Sequence, residues 1–70
     1  MNINDYVIYT GTGATPYQER VANKALKIGE HYQIERIIEG NWFGFLVLKG
    51  IKGQFAIEMF KYVFVKDVMN

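Results

Sequence analysis

The chain contains no cysteine, a single histidine (His31) and a single proline (Pro16). Without cysteine no disulfide can form, and a zinc site built from Cys and His is excluded. The lack of cysteine fits a reducing compartment. Charge of one sign is also missing: eight basic residues stand against seven acidic ones, for a net charge of +1. That balance speaks against a protein devoted to polyanions, which needs a basic excess. No apolar run approaches the ~18 residues of a membrane-spanning helix. Residues Met1–Asp5 carry no basic region and no signal-type apolar stretch. The expectation is a cytoplasmic protein with no membrane partner.

Seventy residues allow one domain. A chain of this length buries only about 60% of its unfolded surface, so its core is small. Aromatic packing takes the place of disulfides and metal. Eleven of the 70 residues are Phe, Tyr or Trp, and these side chains bury the most area each. The charges are divided unevenly. Residues 1–39 hold four basic and five acidic groups, and residues 40–70 hold four and two. The second part is mildly positive through Lys49, Lys52, Lys61 and Lys66, a pattern that solvated turns and strand edges also give.

Along the chain the segments are short and well punctuated. Residues 5–9 are β-branched and aromatic and read as a first strand. Thr10–Ala14 is a loop by composition. Thr15-Pro16-Tyr17-Gln18 has the form of a helix start, with a cap, a proline in the first turn and a glutamine three after the cap. Good helix formers follow, and Val21, Ala25 and Ile28, with Ala22 and Leu26 beside them, make an apolar stripe. This predicts a helix over 16–27, closed by Gly29. Residues 31–38 alternate and then slip at Arg36-Ile37-Ile38, which predicts a strand with a bulge or a buried end. After a turn at Glu39–Asn41, residues 42–49 form the most apolar strand. Phe43, Phe45 and Val47 lie on one face and Leu46 and Leu48 on the other, so it is covered on both sides or presents an apolar patch. Gly44 within it marks a bend or a close backbone approach. Gly50–Gly53 is a tight turn. Residues 54–57 start a strand, Glu58–Phe60 allow one helical turn, and Tyr62–Val65 close the chain as a last strand. Five short strands favour a small barrel, because closure hides sheet edges.

These segments resemble the Src-homology-3-like barrels. Ala25–Ile34 is similar to the turn and strand in which an apolar residue and a glycine lead into a strand. Asn41-Trp42-Phe43-Gly44-Phe45 resembles the aromatic opening of the next strand. Gly50–Phe55, followed by Phe60 and Val63, is similar to the closing order of turn, short strand, helical turn and last strand. The same order occurs in many small phage and prophage proteins of Gram-positive bacteria. The resemblance implies a mainly β fold, a small five-stranded barrel with one short helix inserted after the first strand. In the peptide-binding members an acidic, tyrosine-rich loop, a Trp, a Pro and a Tyr line the groove. Here Trp42 takes the Trp position, Ala56 stands in place of the Pro and Phe60 near that of the Tyr. The first loop has become a Gly-Thr stretch with a helix, so recognition of proline-rich ligands is not predicted.

The signals for chemistry are weak. Gly11-Thr12-Gly13 lacks the further Gly, Lys and Ser/Thr of a phosphate loop and reads as a connection. His31 is the one candidate for proton chemistry near neutral pH. Its neighbour Glu30 would point to the opposite face of a strand. Glu35 and Glu39, on one face of a strand, would sit ~13 Å apart, too far for paired acid–base work. No catalytic residue, cofactor or metal is predicted. Trp42 reads either as a lid on the core or as a binding anchor, since Trp is enriched at interface hot spots. The expected function is therefore a non-enzymatic protein-binding module, with Trp42, Phe43, Phe45, Tyr9, Tyr17 and Tyr62 as its contact face. The resemblance adds a phage- or prophage-encoded modulator of another protein. Two alternatives stand beside it. One is a barrel for single-stranded nucleic acid, with bases on aromatics and phosphates on Lys49, Lys52, Lys61 and Lys66. The other is a homo-oligomer built through the 43–48 strand or an exposed edge.

Overall fold

The computed structural model describes residues 1–63. Its elements are β1 (Tyr6–Tyr9), α1 (Pro16–Ala25), β2 (His31–Glu39), β3 (Gly44–Leu48), β4 (Phe55–Ala56), a single 3-10 turn (Ile57–Met59) and β5 (Phe60–Val63). All pairings are antiparallel, and the strands run in the order β4-β3-β2-β1-β5. The fold is thus mainly β with one short helix after the first strand, as predicted. The closure of a barrel is not made: among the described residues the five strands form one open sheet, with β4 and β5 at its two ends. Only the 3-10 turn joins those ends along the chain. No described helix is long and apolar enough to cross a membrane.

β2 holds the sheet together because it belongs to two ladders. Its first residues pair with β1 (Val7 opposite Tyr32), and its later residues pair with β3 (Arg36 opposite Val47, Ile38 opposite Phe45). Between them Ile34 and Arg36 face the adjacent residues Leu48 and Val47, so Glu35 is the extra residue of a bulge. The slip in the sequence pattern is therefore real, one residue earlier than Arg36. At the crossover the Ile34 N–H donates to the Asp5 carbonyl (2.9 Å), and the Lys49 N–H donates to Gln33 (2.9 Å). The chain is bonded on both sides where it changes ladder.

The helix begins as its residues demand. The Gln18 N–H donates to Thr15 Oγ1 (3.2 Å), and the Thr15 N–H donates to Gln18 Oε1 (3.3 Å), a complete capping box with Pro16 in the first turn. It ends at Ala25 rather than Lys27, because Leu26 is already extended. The Lys27 N–H then donates to the Tyr32 hydroxyl (2.9 Å). Gly29, with φ +87°, belongs to the following turn and donates to the Tyr9 carbonyl (2.8 Å) instead of capping the helix. The apolar stripe also sits differently. Ala22 and Leu26 enter the core, while Val21 and Ile28 are exposed. A ten-residue helix lying over a small sheet has room to bury only a narrow face.

The core joins both ladders through Val7, Tyr9, Ile34, Leu46, Leu48 and Met59. Tyr9, assigned above to a contact face, is fully buried. Its ring packs on Phe60 (5.6 Å between centroids), and its hydroxyl donates to Asn23 Oδ1 (2.6 Å), tying β1 to α1. An outward-facing aromatic in a central strand was the wrong assignment, because the middle of so small a sheet has no room to leave Tyr9 outside the core.

The loop before the helix is held by equally close contacts. Thr10 Oγ1 donates to the Met59 carbonyl (2.9 Å). Gly13 has φ +103°, and a Cβ there would collide with the Glu58 backbone carbonyl. Gly29 also has positive φ but open space around it. Gly13→Ala is therefore expected to destabilise the protein by about 1–3 kcal/mol and to lower its melting temperature more than Gly29→Ala, which meets only the backbone strain. Equal shifts in paired thermal melts would show that the Gly13–Glu58 approach does not hold this loop.

Candidate functional site

The site grows from the short link between β2 and β3. The Gly40 N–H donates to the Phe43 carbonyl (2.9 Å), which leaves Asn41 and Trp42 as a two-residue tip. A side chain at such a tip has nothing beneath it, and Trp42 is 94% exposed. That excludes the reading of Trp42 as a lid on the core. Phe43 folds back over Gly40, where a Cβ would come within 2.5 Å of its ring. Phe43 also meets Phe45 in a tilted pair (5.5 Å, 51°), an arrangement that suits the ring quadrupoles. Gly44 lies under Ile57 of the 3-10 turn, the close approach its position in the strand predicted.

Across from this aromatic wall stands the start of α1. Between them lies an open cleft of about 390 Å³, walled by Trp42 and Phe43 on one side and by Thr15 and Gln18 on the other, with Phe45 and Ala56 in its lining. Glu58 is the one charged residue in that lining. Gln18, Phe45 and Ala56 also line a smaller apolar pocket of about 130 Å³, completed by Tyr17, Val21, Phe55 and Met59. Gln54 connects this pocket to a third depression of about 390 Å³ lined by Arg36, Val47 and Lys52. Phe45 and Val47 are two apart on β3 and so share one face of the sheet. The three depressions thus follow one another along the β3 face.

Of the proposed contact residues, Trp42, Phe43 and Phe45 line one cleft, and Tyr17 joins Phe45 in the smaller pocket beside it. Tyr9 lies in the core. Burial, followed by the Glu19 and Tyr32 charges, raises the pKa of its phenol, so the hydroxyl stays a donor. Tyr62 is partly exposed on β5 and lines none of the three depressions. The lysines do not converge. Lys49, Lys52 and Lys61 are exposed, and only Lys52 borders a depression; Lys66 lies outside the described residues. Arg36, Val21 and Glu58 were not among the expected contact residues, and Ala56 entered only as the residue in place of the groove proline. Their places depend on the bulge in β2 and on how α1 is rotated.

His31 begins β2, exposed and opposite Ile8. Glu35 is the bulged residue and Glu39 faces Gly44. The Gly11–Gly13 loop approaches the carbonyls of Glu58 and Met59, which present negative dipoles and do not cradle an anion. Among the described residues no group of three or more His, Asp or Glu could hold a metal. No protein-family model, curated protein or solved structure matches the chain.

The exposure of Trp42 has a direct readout, since it is the sole tryptophan. Its fluorescence is expected to resemble that of indole in water and to be quenched freely by acrylamide. Trp42→Ala should change stability by no more than about 0.5 kcal/mol, as for other surface substitutions. A blue-shifted, protected emission, or a large drop in melting temperature, would place the ring in the core.

Proposed function

We propose that the chain is a non-enzymatic protein-binding module whose contact face is the cleft between Trp42–Phe43 and the start of α1. The observation that carries this is Trp42, 94% exposed at the wall of an open cleft. Phe43 beside it is also exposed, as are Tyr17 and Val21 of the adjoining smaller pocket. Single apolar residues at a surface are ordinary, but a cluster around adjoining concavities marks an interaction site. An aromatic side chain buries ~150–250 Å² when covered, so a partner that covers Trp42 and Phe43 gains several kcal/mol at ~25 cal/mol per Å². Both rings lie where they can be covered without unfolding anything.

The architecture is read as a Src-homology-3-like barrel. Support comes from the strand order, from the sharing of β2 between two ladders and from the 3-10 turn between the last two strands. The resemblance in segment order extends the proposal to a phage- or prophage-encoded modulator acting in a host cytoplasm. Nucleic acid is the weaker reading, because among the described residues no lysine or arginine lines the aromatic cleft and Glu58 would repel a phosphate there.

The test is an affinity capture from lysate of a Gram-positive host, with wild type and Trp42→Ala side by side and with and without nuclease. A protein captured in stoichiometric amount by wild type, kept after nuclease and lost with Trp42→Ala, is the expected result. Capture that depends on nucleic acid, or that is indifferent to Trp42, overturns the proposal. A shift to a dimer in sedimentation that Trp42→Ala abolishes would identify the partner as a second copy.

A further inference from the structure

The β3 face carries opposite charges at its two ends. Glu58 lines the Trp42 cleft, and Arg36 and Lys52 line the third depression. All three side chains are exposed, and among the described residues none of them is ion-paired. Between the ends lies the small pocket, whose lining has no charged side chain among the described residues. It shares Phe45 and Ala56 with the first depression and Gln54 with the third. The order along the face is therefore acid, apolar centre, base. An interface between two identical copies imposes that order. A two-fold axis sets a side chain that lies on it against its own copy, so a charge there would be repelled. The same axis sets one end of the face against the other end of the second copy, so the two ends must differ in sign. A face built for a different protein is under neither condition.

Resting on the protein-binding reading above, we propose that the occupant of this face is a second copy of the chain, related to the first by a two-fold axis through the Tyr17–Val21–Ala56 pocket. Glu58 of each copy lies against Arg36 and Lys52 of the other. The Trp42 tip of each lies over Val47 and Ile51 in the other's third depression. Every contact off the axis is made twice, so each favourable pair counts double. A net charge of +1 leaves little general repulsion between the copies. Area also favours an occupant that spans the whole face. A stable interface takes about 800 Å² from each partner. Covering Trp42 and Phe43 alone, at ~150–250 Å² each, falls short of that. A copy laid along all three depressions also covers the exposed Tyr17 and Val21 and the half-buried Phe45, Val47 and Ile51.

The experiment is sedimentation equilibrium of the intact protein from micromolar to millimolar concentration. Beside it run Trp42→Ala, Glu58→Lys, the double variant Arg36→Glu/Lys52→Glu, and an equimolar mixture of the two charge variants. The residues changed are exposed and outside the core, and circular dichroism checks that each variant is folded. The wild type is expected to dimerise within that range, and Trp42→Ala to dimerise about tenfold more weakly, as for an interface hot spot. Each charge variant alone sets like charges together at both ends and should also dimerise about tenfold more weakly, the scale of several exposed ion pairs. The mixture should recover the wild-type association, because in the mixed dimer both ends again meet opposite charge. Misfolding of either variant cannot produce that recovery. A wild type that stays monomeric up to millimolar concentration, or a mixture that associates no better than its components, would overturn the inference. If a different protein is captured through Trp42 in either case, the protein-binding reading stands without it. Capture and association that are both indifferent to Trp42→Ala would overturn that reading as well.

Discussion

Everything in this fold depends on one strand serving two ladders. β2 leaves β1 and joins β3 within nine residues, and the bulge at Glu35 is where it turns. A bulge adds one residue to one side of a ladder, bends the strand and increases its twist. A strand without it would carry one face of side chains straight through. With it, Ile34 before the bulge enters the core and Ile37 after it packs against the same core. A chain of 70 residues has too little apolar surface for two separate cores. Sharing β2 lets a single cluster, from Val7 to Leu48, stabilise both ladders.

The position of the cleft follows from the same constraint. The register after the bulge places Ile38, Phe45 and Ala56 in one row across three strands and Arg36 beside Val47 in the next. α1 meets that row at its β4 end. The helix is fixed at both ends: Thr10 and Gly13 hold the preceding loop against the 3-10 turn, and the Tyr9 hydroxyl holds Asn23. These are hydrogen bonds and a close backbone approach rather than broad apolar packing, since Ala22 is the helix's one buried residue. A helix held in this way stands beside the sheet instead of covering it. The gap it leaves holds the cleft and the smaller pocket beside it, and Tyr17 and Val21 line that pocket.

Local chemistry in the sequence was a good guide and long-range geometry was not. The capping box, the 3-10 turn, the glycine approach at Gly44 and the five strands follow from near-neighbour rules. Barrel closure could not be read in this way, because it depends on how far a sheet curls. Which side of α1 faces inward was equally hidden. Val21–Ala25–Ile28 and Ala22–Leu26 are both acceptable stripes by period, and the attachment of Asn23 to Tyr9 selects the second. Trp42, Phe43 and Phe45 were legible as a patch because they lie within one strand and its turn. Glu58 was not, since it comes from the 3-10 turn and meets that patch only once the register is fixed.

The exposed aromatics also bear on what kind of surface this is. A core of this size gains from every aromatic it can enclose, and Tyr9 and Phe60 show that it encloses some. Trp42 is the largest side chain in the chain, yet it contributes nothing to that core. Moving it inward would require no new element, only a longer link between Gly40 and Phe43 that let the ring fold under. The two-residue tip prevents this. Folding therefore gains nothing from having Trp rather than a polar residue at position 42, and the exposed ring adds a risk of aggregation. An interaction that covers the ring reverses that balance, which is the physical reason to assign Trp42 to binding rather than to stability.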